Sequence, residues 1–241
     1  MQLVTGSNLG YYGRMTGYLD SLAVHADFPV HLVGVGFMPA NAFAKCHILT
    51  REQNDGAPRE TECIQHGSFL HVIKGKADDV LVYTDGDFVM QRPLDDSERE
   101  LLDLDHGQVV TSWNGGAHET LEHEATRLNM RVSWEQLFND FGHDLRKWPI
   151  YNVGFIAMTR QTWKELYAAY MRDWPDMHHY FGHQARQQWL ISYHIAALGL
   201  DVKIAPWSLH AHGHFGLKPG MERRPDGIYA DGKLAAFRHF L

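Results

Sequence analysis

Short apolar runs of strand length alternate along this chain with longer stretches whose apolar residues recur near the helical period. Gln2-Leu3-Val4-Thr5 reads as a first strand, and Gly6-Ser7-Asn8 as a turn of small polar residues. From about Tyr11 to His25, the residues Tyr12, Met15, Leu19, Leu22 and Ala23 fall near helical spacing and predict a helix. Pro29 breaks it, and Val30 to Val35 forms a second strand. Strand, loop, helix and strand open an α/β unit with parallel strands, whose ligands sit at the carboxyl ends of the strands.

Met38 to Glu62 is irregular, with Gln53 to Pro58 a surface loop, and Ile64 to Lys74 reads as a short helix with Phe69, Leu70 and Ile73 as its apolar face. Val80-Leu81-Val82-Tyr83 is a buried strand bounded by acidic residues, and Phe88-Val89-Met90 resumes the extended chain until Arg92-Pro93-Leu94. Asp95 to Leu104 predicts an acidic, exposed helix, and Val109 to Trp113 another strand. The polar and aromatic stretch from Ala117 to Trp148 is expected to carry acceptor specificity, as loops on a rigid scaffold do. Ile150 to Thr159 is an apolar strand feeding a helix over Gln161 to Arg172; a further helix opens at Gln187 and ends near Gly199, and Asp201 to Pro206 closes as a strand. Gly220 to Leu241 is polar and turn-rich and reads as a tail packed on the rest. The pattern predicts an α/β protein, a central, mostly parallel sheet flanked by helices, in one domain over residues 1–241.

Composition narrows the function classes. With 241 residues, 44% hydrophobic and 21% charged, the chain has the make-up of an ordinary globular protein with a sizeable core. A net charge of −7 offers no global attraction to nucleic acid or an anionic membrane. No apolar run approaches the ~18 residues of a membrane span, and no basic, then apolar leader precedes the first strand, so a cytoplasmic location is expected. Two cysteines, Cys46 and Cys63, make neither a disulfide framework nor a cysteine-rich zinc motif.

Two stretches carry chemistry. At the exit of the Val80 to Tyr83 strand, Asp85 and Asp87 flank Gly86. Two carboxylates beside a flexible residue suit Mg²⁺ or Mn²⁺, which take oxygen ligands and keep part of their shell for water and substrate phosphates. Later, His210, His212 and His214 alternate on an extended segment, so that all three point to one side at metal-binding spacing.

An apolar strand, Asp-x-Asp, a second apolar strand and then Pro93 resemble the DxD region of GT-A fold glycosyltransferases, in particular glycosyltransferase family 8 within the nucleotide-diphospho-sugar transferase superfamily. The resemblance runs through most of the chain in order and implies a GT-A-like α/β domain. Residues 1–113 would bind nucleotide and metal, and residues 114–241 would bind the acceptor and close the metal and phosphate site. It implies an enzyme that moves a sugar from a nucleoside-diphosphate sugar, UDP-linked by family weight, to a hydroxyl acceptor with Mn²⁺ or Mg²⁺. Asp85 and Asp87 would hold the metal with His212 or His214; the family's His-x-x-Gly-x-x-Lys-Pro spacing is not reproduced and does not choose between them. Gly216 and Lys218 would meet the diphosphate. Thr5, Gly6 and Asn8 would border base and ribose, and Gln65, His66 or Ser68 would point at the donor; by their own chemistry Tyr11 and Tyr12, at the helix start, could stack on a base or join the core. Asn152 and Gly154 resemble the family's Asn-x-Gly strand against the donor sugar or acceptor. Gln187-Gln188 stands where the family often has Asp-Gln, so a base at that position is lost while hydrogen bonding to sugar hydroxyls is kept; His183-Gln184 is the alternative match. A catalytic base for inversion would come from Glu119, Asp140, Asp144 or a histidine, and the resemblance tilts towards retention. The rivals are a nucleotidyltransferase on a related sheet, a hydrolase centred on the histidines, and a noncatalytic sugar-nucleotide or carbohydrate-binding module.

Overall fold

The first apolar run is β1 (Gln2–Asn8), followed by α1 (Leu9–Tyr12), a 3-10 turn over Gly13–Met15, and α2 (Thr16–His25). The helix expected from Tyr11 is thus two pieces, and Asn8 caps the first by accepting the Tyr11 N–H at 2.9 Å. These and the following elements come from a computed structural model that describes residues 1–54, 64–114, 119–127, 132–142, 144–177, 186–212 and 217–239. β2 (Val30–Val35) runs parallel to β1, and β3 (Lys45–Leu49) runs parallel to β2. β3 falls within the stretch expected to be irregular. It is an edge strand whose Lys45 and Ile48 face solvent, so its sequence shows no clean alternation. In place of the helix expected over Ile64 to Lys74 there is one 3-10 turn, Ser68–His71, because Gly67 enters it at φ 107°.

β4 (Val80–Thr84) and β5 (Phe88–Met90) frame the two carboxylates, and α3 (Asp96–Leu101) follows with a capping box formed by Asp95 and Glu98. β6 (Gln108–Trp113), α4 (Leu121–Arg127), α5 (Trp134–Phe141), β7 (Tyr151–Thr159), α6 (Arg160–Met177), α7 (Arg186–Ala197) and β8 (Asp201–Ile204) complete the main layers. Among the described residues the main sheet has the order β3-β2-β1-β4-β7-β6-β8, parallel except for β7, which is antiparallel to both neighbours.

Alternation along the strands sends side chains to two faces. Val4, Leu81, Tyr83, Ile156 and Met158 join Trp163, Leu166 and Tyr170 of α6 and Trp189 of α7 in one core. Leu3, Val80, Val82, Phe155 and Ala157 join Tyr18, Leu19 and Leu22 of α2 in the other, together with Phe88, Met90 and Phe237. That second face carries the site.

The expected C-terminal tail is instead ordered strand structure, correcting the reading of Gly220 to Leu241. After β9 (His210–His212), the chain forms β10 (Met221–Arg224), β11 (Gly227–Ala230) and β12 (Lys233–Leu234) as an antiparallel meander, then β13 (Phe237–His239). β13 lies between β5, antiparallel to it, and β9, parallel to it. An ionic cluster around the buried Glu98 fastens this return. The Arg92 guanidinium donates to the buried Glu98 carboxylate at 2.8 Å and to the Leu234 carbonyl at 2.6 Å, while Lys233 reaches Glu98 at 3.1 Å and also bonds Asp95. Lys233 and Ser97 hold the Asp95 carboxyl well below the usual range.

Candidate active site

β4 ends in Thr84, and the next residues turn at the carboxyl end of the parallel strands, where open α/β sheets bind ligands. Asp85 is pinned by three contacts. Its backbone N–H donates to the Gly154 carbonyl at 2.9 Å, the Tyr83 hydroxyl donates to its Oδ1 at 2.6 Å, and Gly154 leaves room for its other oxygen. A Cβ on Gly154 would meet Asp85 Oδ2 at 2.6 Å. Asp87 is bracketed from β13, where His239 Nε2 lies 3.1 Å from its Oδ1. Asp85, Asp87 and His239 each offer a ligand atom, and the three atoms lie within 4.8 Å of one another.

The electrostatics match a cation site. Burial raises the Asp85 carboxyl, and the like charge of Asp87 raises it further, outweighing the lowering effects of His239 and of the Tyr83 hydroxyl. Two close carboxylates with one imidazole form a donor set that fits Mg²⁺ or Mn²⁺. Asp87 keeps 38% of its side chain exposed, so the site stays open to a further ligand on that side. Tyr18, buried beneath, bonds the Thr84 hydroxyl, and burial raises its phenol far above the ordinary value.

The histidine at the carboxylates is therefore one that the sequence reading passed over. His212, named as a metal ligand, instead has Nε2 2.7 Å from the Trp113 carbonyl, and His210 has Nδ1 2.7 Å from the Ser112 hydroxyl. Both rings are turned to β6. His214 and Gly216 lie outside the described residues, as do His183 and Gln184. Lys218 is half-buried on the segment entering β10. The signal for His239 was present: Asp231-Gly232 is a hairpin turn, and Leu234 to Phe237 is an apolar run that delivers a histidine at its end, as Val80 to Thr84 delivers Asp85.

β1 runs on through Gly6-Ser7-Asn8, expected as a turn, because these residues pair with Val33 to Val35 of β2; within it Thr5 has no exposed surface and its hydroxyl has no partner among the described residues. Gly6 is explained by packing, since a Cβ there would sit 2.5 Å from the Val33 carbonyl. Gly86 likewise abuts Met15, at 2.8 Å from an added Cβ. Asn8 spends its side chain on the α1 cap, and Tyr11 lies half-buried with the Arg14 guanidinium 5.7 Å from its ring centre. Asn152 is buried and accepts the Gly154 N–H at 3.0 Å, so Asn-x-Gly forms a bracket that shapes the wall against Asp85. Gln187 is also buried: its Oε1 accepts from Gln65 at 2.8 Å, and its Nε2 lies 3.1 Å from His66 Nδ1. Gln188 beside it is half-buried. Ser68 bonds Asn54. Asp144 is held by Arg146 at 2.7 Å, Glu119 lies 3.5 Å from the Asn114 amide, and the Asp140 side chain is outside the described set. Among the described residues no helix is long and apolar enough to cross a membrane.

No protein-family model and no curated protein matches the sequence. Solved structures do match its shape. The galactosyltransferase LgtC, in complex with donor and acceptor sugar analogues, aligns over 100% of this chain and 87% of its own, with a TM-score of 0.61 at 14% identity. An active-site variant of LgtC gives 0.60 at 13% identity over the same shares. Mouse xyloside xylosyltransferase 1 in its apo form gives 0.54 at 11% identity, over 100% of this chain and 98% of that one. The likeness runs over the whole chain at 11–14% identity and shows the fold: the chain has the GT-A glycosyltransferase fold.

Proposed function

We propose that this protein is a metal-dependent glycosyltransferase that moves a sugar from a nucleoside-diphosphate sugar, UDP-linked in the first instance, to a hydroxyl acceptor. The observation that carries the reading is the convergence of Asp85 and Asp87, from the turn between β4 and β5, with His239 of β13 at the ligand-binding edge of a GT-A sheet. A bound Mn²⁺ or Mg²⁺ would neutralise charge developing on the leaving diphosphate. The side chains divide the remaining work. Asp85, oriented by Tyr83 and Gly154, and Asp87, paired with His239, hold the cation. Lys218 meets the departing phosphate. Asn8 and Tyr11 border the nucleotide, and the buried Thr5 supports the end of β1. Asn152 and Gln187 are positioning residues, while the more accessible Gln188 faces sugar hydroxyls. In transfer, the bond from the anomeric carbon to the diphosphate oxygen breaks, a bond to the acceptor oxygen forms, and the acceptor hydroxyl loses its proton. Residues 1–113 supply the nucleotide and metal side, and residues 114–241 supply the acceptor side and His239.

The hydrolase reading loses support because the donor set that converges among the described residues is Asp85, Asp87 and His239 and contains neither His210 nor His212. The test is a thermal-shift panel of nucleoside diphosphates and sugar nucleotides, each with Mn²⁺ and with chelator. A ligand at ~100 times its dissociation constant stabilises the folded state by about 2.7 kcal/mol, a readable shift. The expected result is a metal-dependent shift with one nucleotide that disappears in Asp87→Asn. A shift that survives this substitution unchanged would reject the reading. Release of nucleoside diphosphate, rather than inorganic pyrophosphate, from the substrate separates glycosyl transfer from nucleotidyl transfer.

A further inference from the structure

The residue that follows the second carboxylate is aromatic, and β5 starts with it. Phe88 has no exposed surface, and antiparallel pairing sets it directly opposite His239 of β13. Directly opposed side chains of a sheet share a face. Here the two rings lie against each other, with centroids 4.5 Å apart and planes 25° from parallel. That is within the range at which offset ring faces attract. Asp87, one residue earlier, has Oδ1 3.1 Å from Nε2 of the same imidazole. Consecutive residues of one segment therefore hold His239 in two ways: Asp87 meets its nitrogen, and Phe88 covers its face.

The covering ring is itself held. His210 of β9 stacks on Phe88 at 4.9 Å and 15°, and on Phe155 of β7 at 5.2 Å and 20°. Its Nδ1 lies 2.7 Å from the Ser112 hydroxyl of β6, and neither His210 nor Phe155 has exposed surface. A run of stacked rings thus reaches from β6 and β7 to the histidine of the metal triad. An imidazole turns about two side-chain torsions, of which the outer is soft. Strand pairing fixes the Cα of His239 but leaves that turn open, so its nitrogen takes its aim from whatever touches the ring. A hydrogen bond commonly does this for a metal ligand. Here a ring face does it as well. Filling the core does not by itself ask for an aromatic residue at 88, since an aliphatic side chain also excludes water there, but it would let the imidazole turn.

We infer that Phe88, backed by His210, is a positioning residue of the metal centre, holding the His239 ring in the plane that turns Nε2 towards Asp87 and the cation. This rests on the metal-dependent reading proposed above.

The experiment compares the full chain with Phe88→Leu and with Phe237→Leu, which removes a buried ring of the same core that meets Phe88 edge-on, at 6.3 Å and 67°. Phe88→Met serves in place of the leucine variant should that one not fold. In chelator, proton NMR should show the His239 ring C–H signals, assigned by their loss in His239→Gln, displaced upfield by the facing ring in the parent and returned in Phe88→Leu. With Mn²⁺, electron spin echo envelope modulation of the parent should show coupling to an imidazole nitrogen. Phe88→Leu should lose most of that coupling and bind Mn²⁺ roughly tenfold more weakly, the lower end of what partners that orient a metal ligand contribute. Phe237→Leu should melt lower yet keep both the coupling and the affinity. Coupling and affinity unchanged in Phe88→Leu would overturn the inference, and so would equal losses in Phe88→Leu and Phe237→Leu, the mark of a merely structural role. A parent chain that takes up no Mn²⁺ would instead defeat the metal-dependent reading and the role of Phe88 with it, while the upfield signals in chelator would still report the stack.

Discussion

Single atoms around Asp85 decide the quality of the candidate metal site. The Tyr83 hydroxyl donates to Asp85 Oδ1 at 2.6 Å, orienting the carboxylate while the other oxygen remains for the cation. Partners that orient a ligand in this way are typically worth 10–100-fold in metal affinity. Tyr83→Phe should therefore bind Mn²⁺ roughly 10–100-fold more weakly while melting within a few degrees of the parent, as read by Mn²⁺ electron paramagnetic resonance titration. Gly154→Ala tests the opposite wall. The new methyl would meet Asp85 Oδ2 at 2.6 Å and Asn152 Oδ1 at 3.0 Å, and the carboxylate must turn away. The expected result is lost Mn²⁺ binding with the strand retained, and unchanged Mn²⁺ affinity would refute the account of Gly154. These residues were legible in the sequence as motifs, since Asp85-Gly86-Asp87 and Asn152-x-Gly154 stand out on apolar strands. Their roles were not, because Asn152 faces its own strand's turn and Gly86 packs on Met15.

At the scale of elements, the C-terminal return is what completes the site. β13 reaches the carboxylates because Arg92 and Lys233 tie the chain to Glu98. Removing one partner of a buried ion pair commonly costs about 3–5 kcal/mol, so Arg92→Ala should lower the unfolding free energy read from urea denaturation by an amount in that range and also weaken Mn²⁺ binding through His239. Equal stability in the variant would mean that Lys233 alone compensates Glu98. Strands framed by strong apolar patterns were readable: Val30 to Val35 is the observed β2, and Asp201 to Ile204 the observed β8. β3 and the strands after Gly220 were not. They are short, polar on one or both faces, and gain their hydrogen bonds from partners far away in sequence, a term that local periodicity does not carry.

Across the whole molecule, a polar seam stitches the sheet edge. His31 of β2 has Nδ1 2.9 Å from His47 Nε2 of β3 and Nε2 2.8 Å from Gln2 Oε1 of β1, spanning three strands. Burial, then the nearby His47, Lys45 and Arg160, lowers the His31 imidazole from 6.5 to about 4. In that window the unfolded chain binds the proton and the folded chain does not, so stability falls as pH drops from 6.5 towards 4. The seam should contribute about 1–2 kcal/mol to this acid loss after solvent screening, and His31→Leu should remove that share when urea midpoints at neutral and acid pH are compared.

The order of apolar runs and acids was enough to establish an α/β chain with two carboxylates at a strand exit, because strand burial and turn chemistry are local and written at fixed spacing. Which histidine meets them was decided only when β13 inserted between β5 and β9. The His210 to His214 repeat has metal-binding spacing along the chain, but hydrogen bonds to β6 claim its first two rings, while a histidine 152 positions after Asp87 (239 minus 87) lies 3.1 Å from it. Spacing specifies which side chains share a face; long-range strand pairing decides what that face meets.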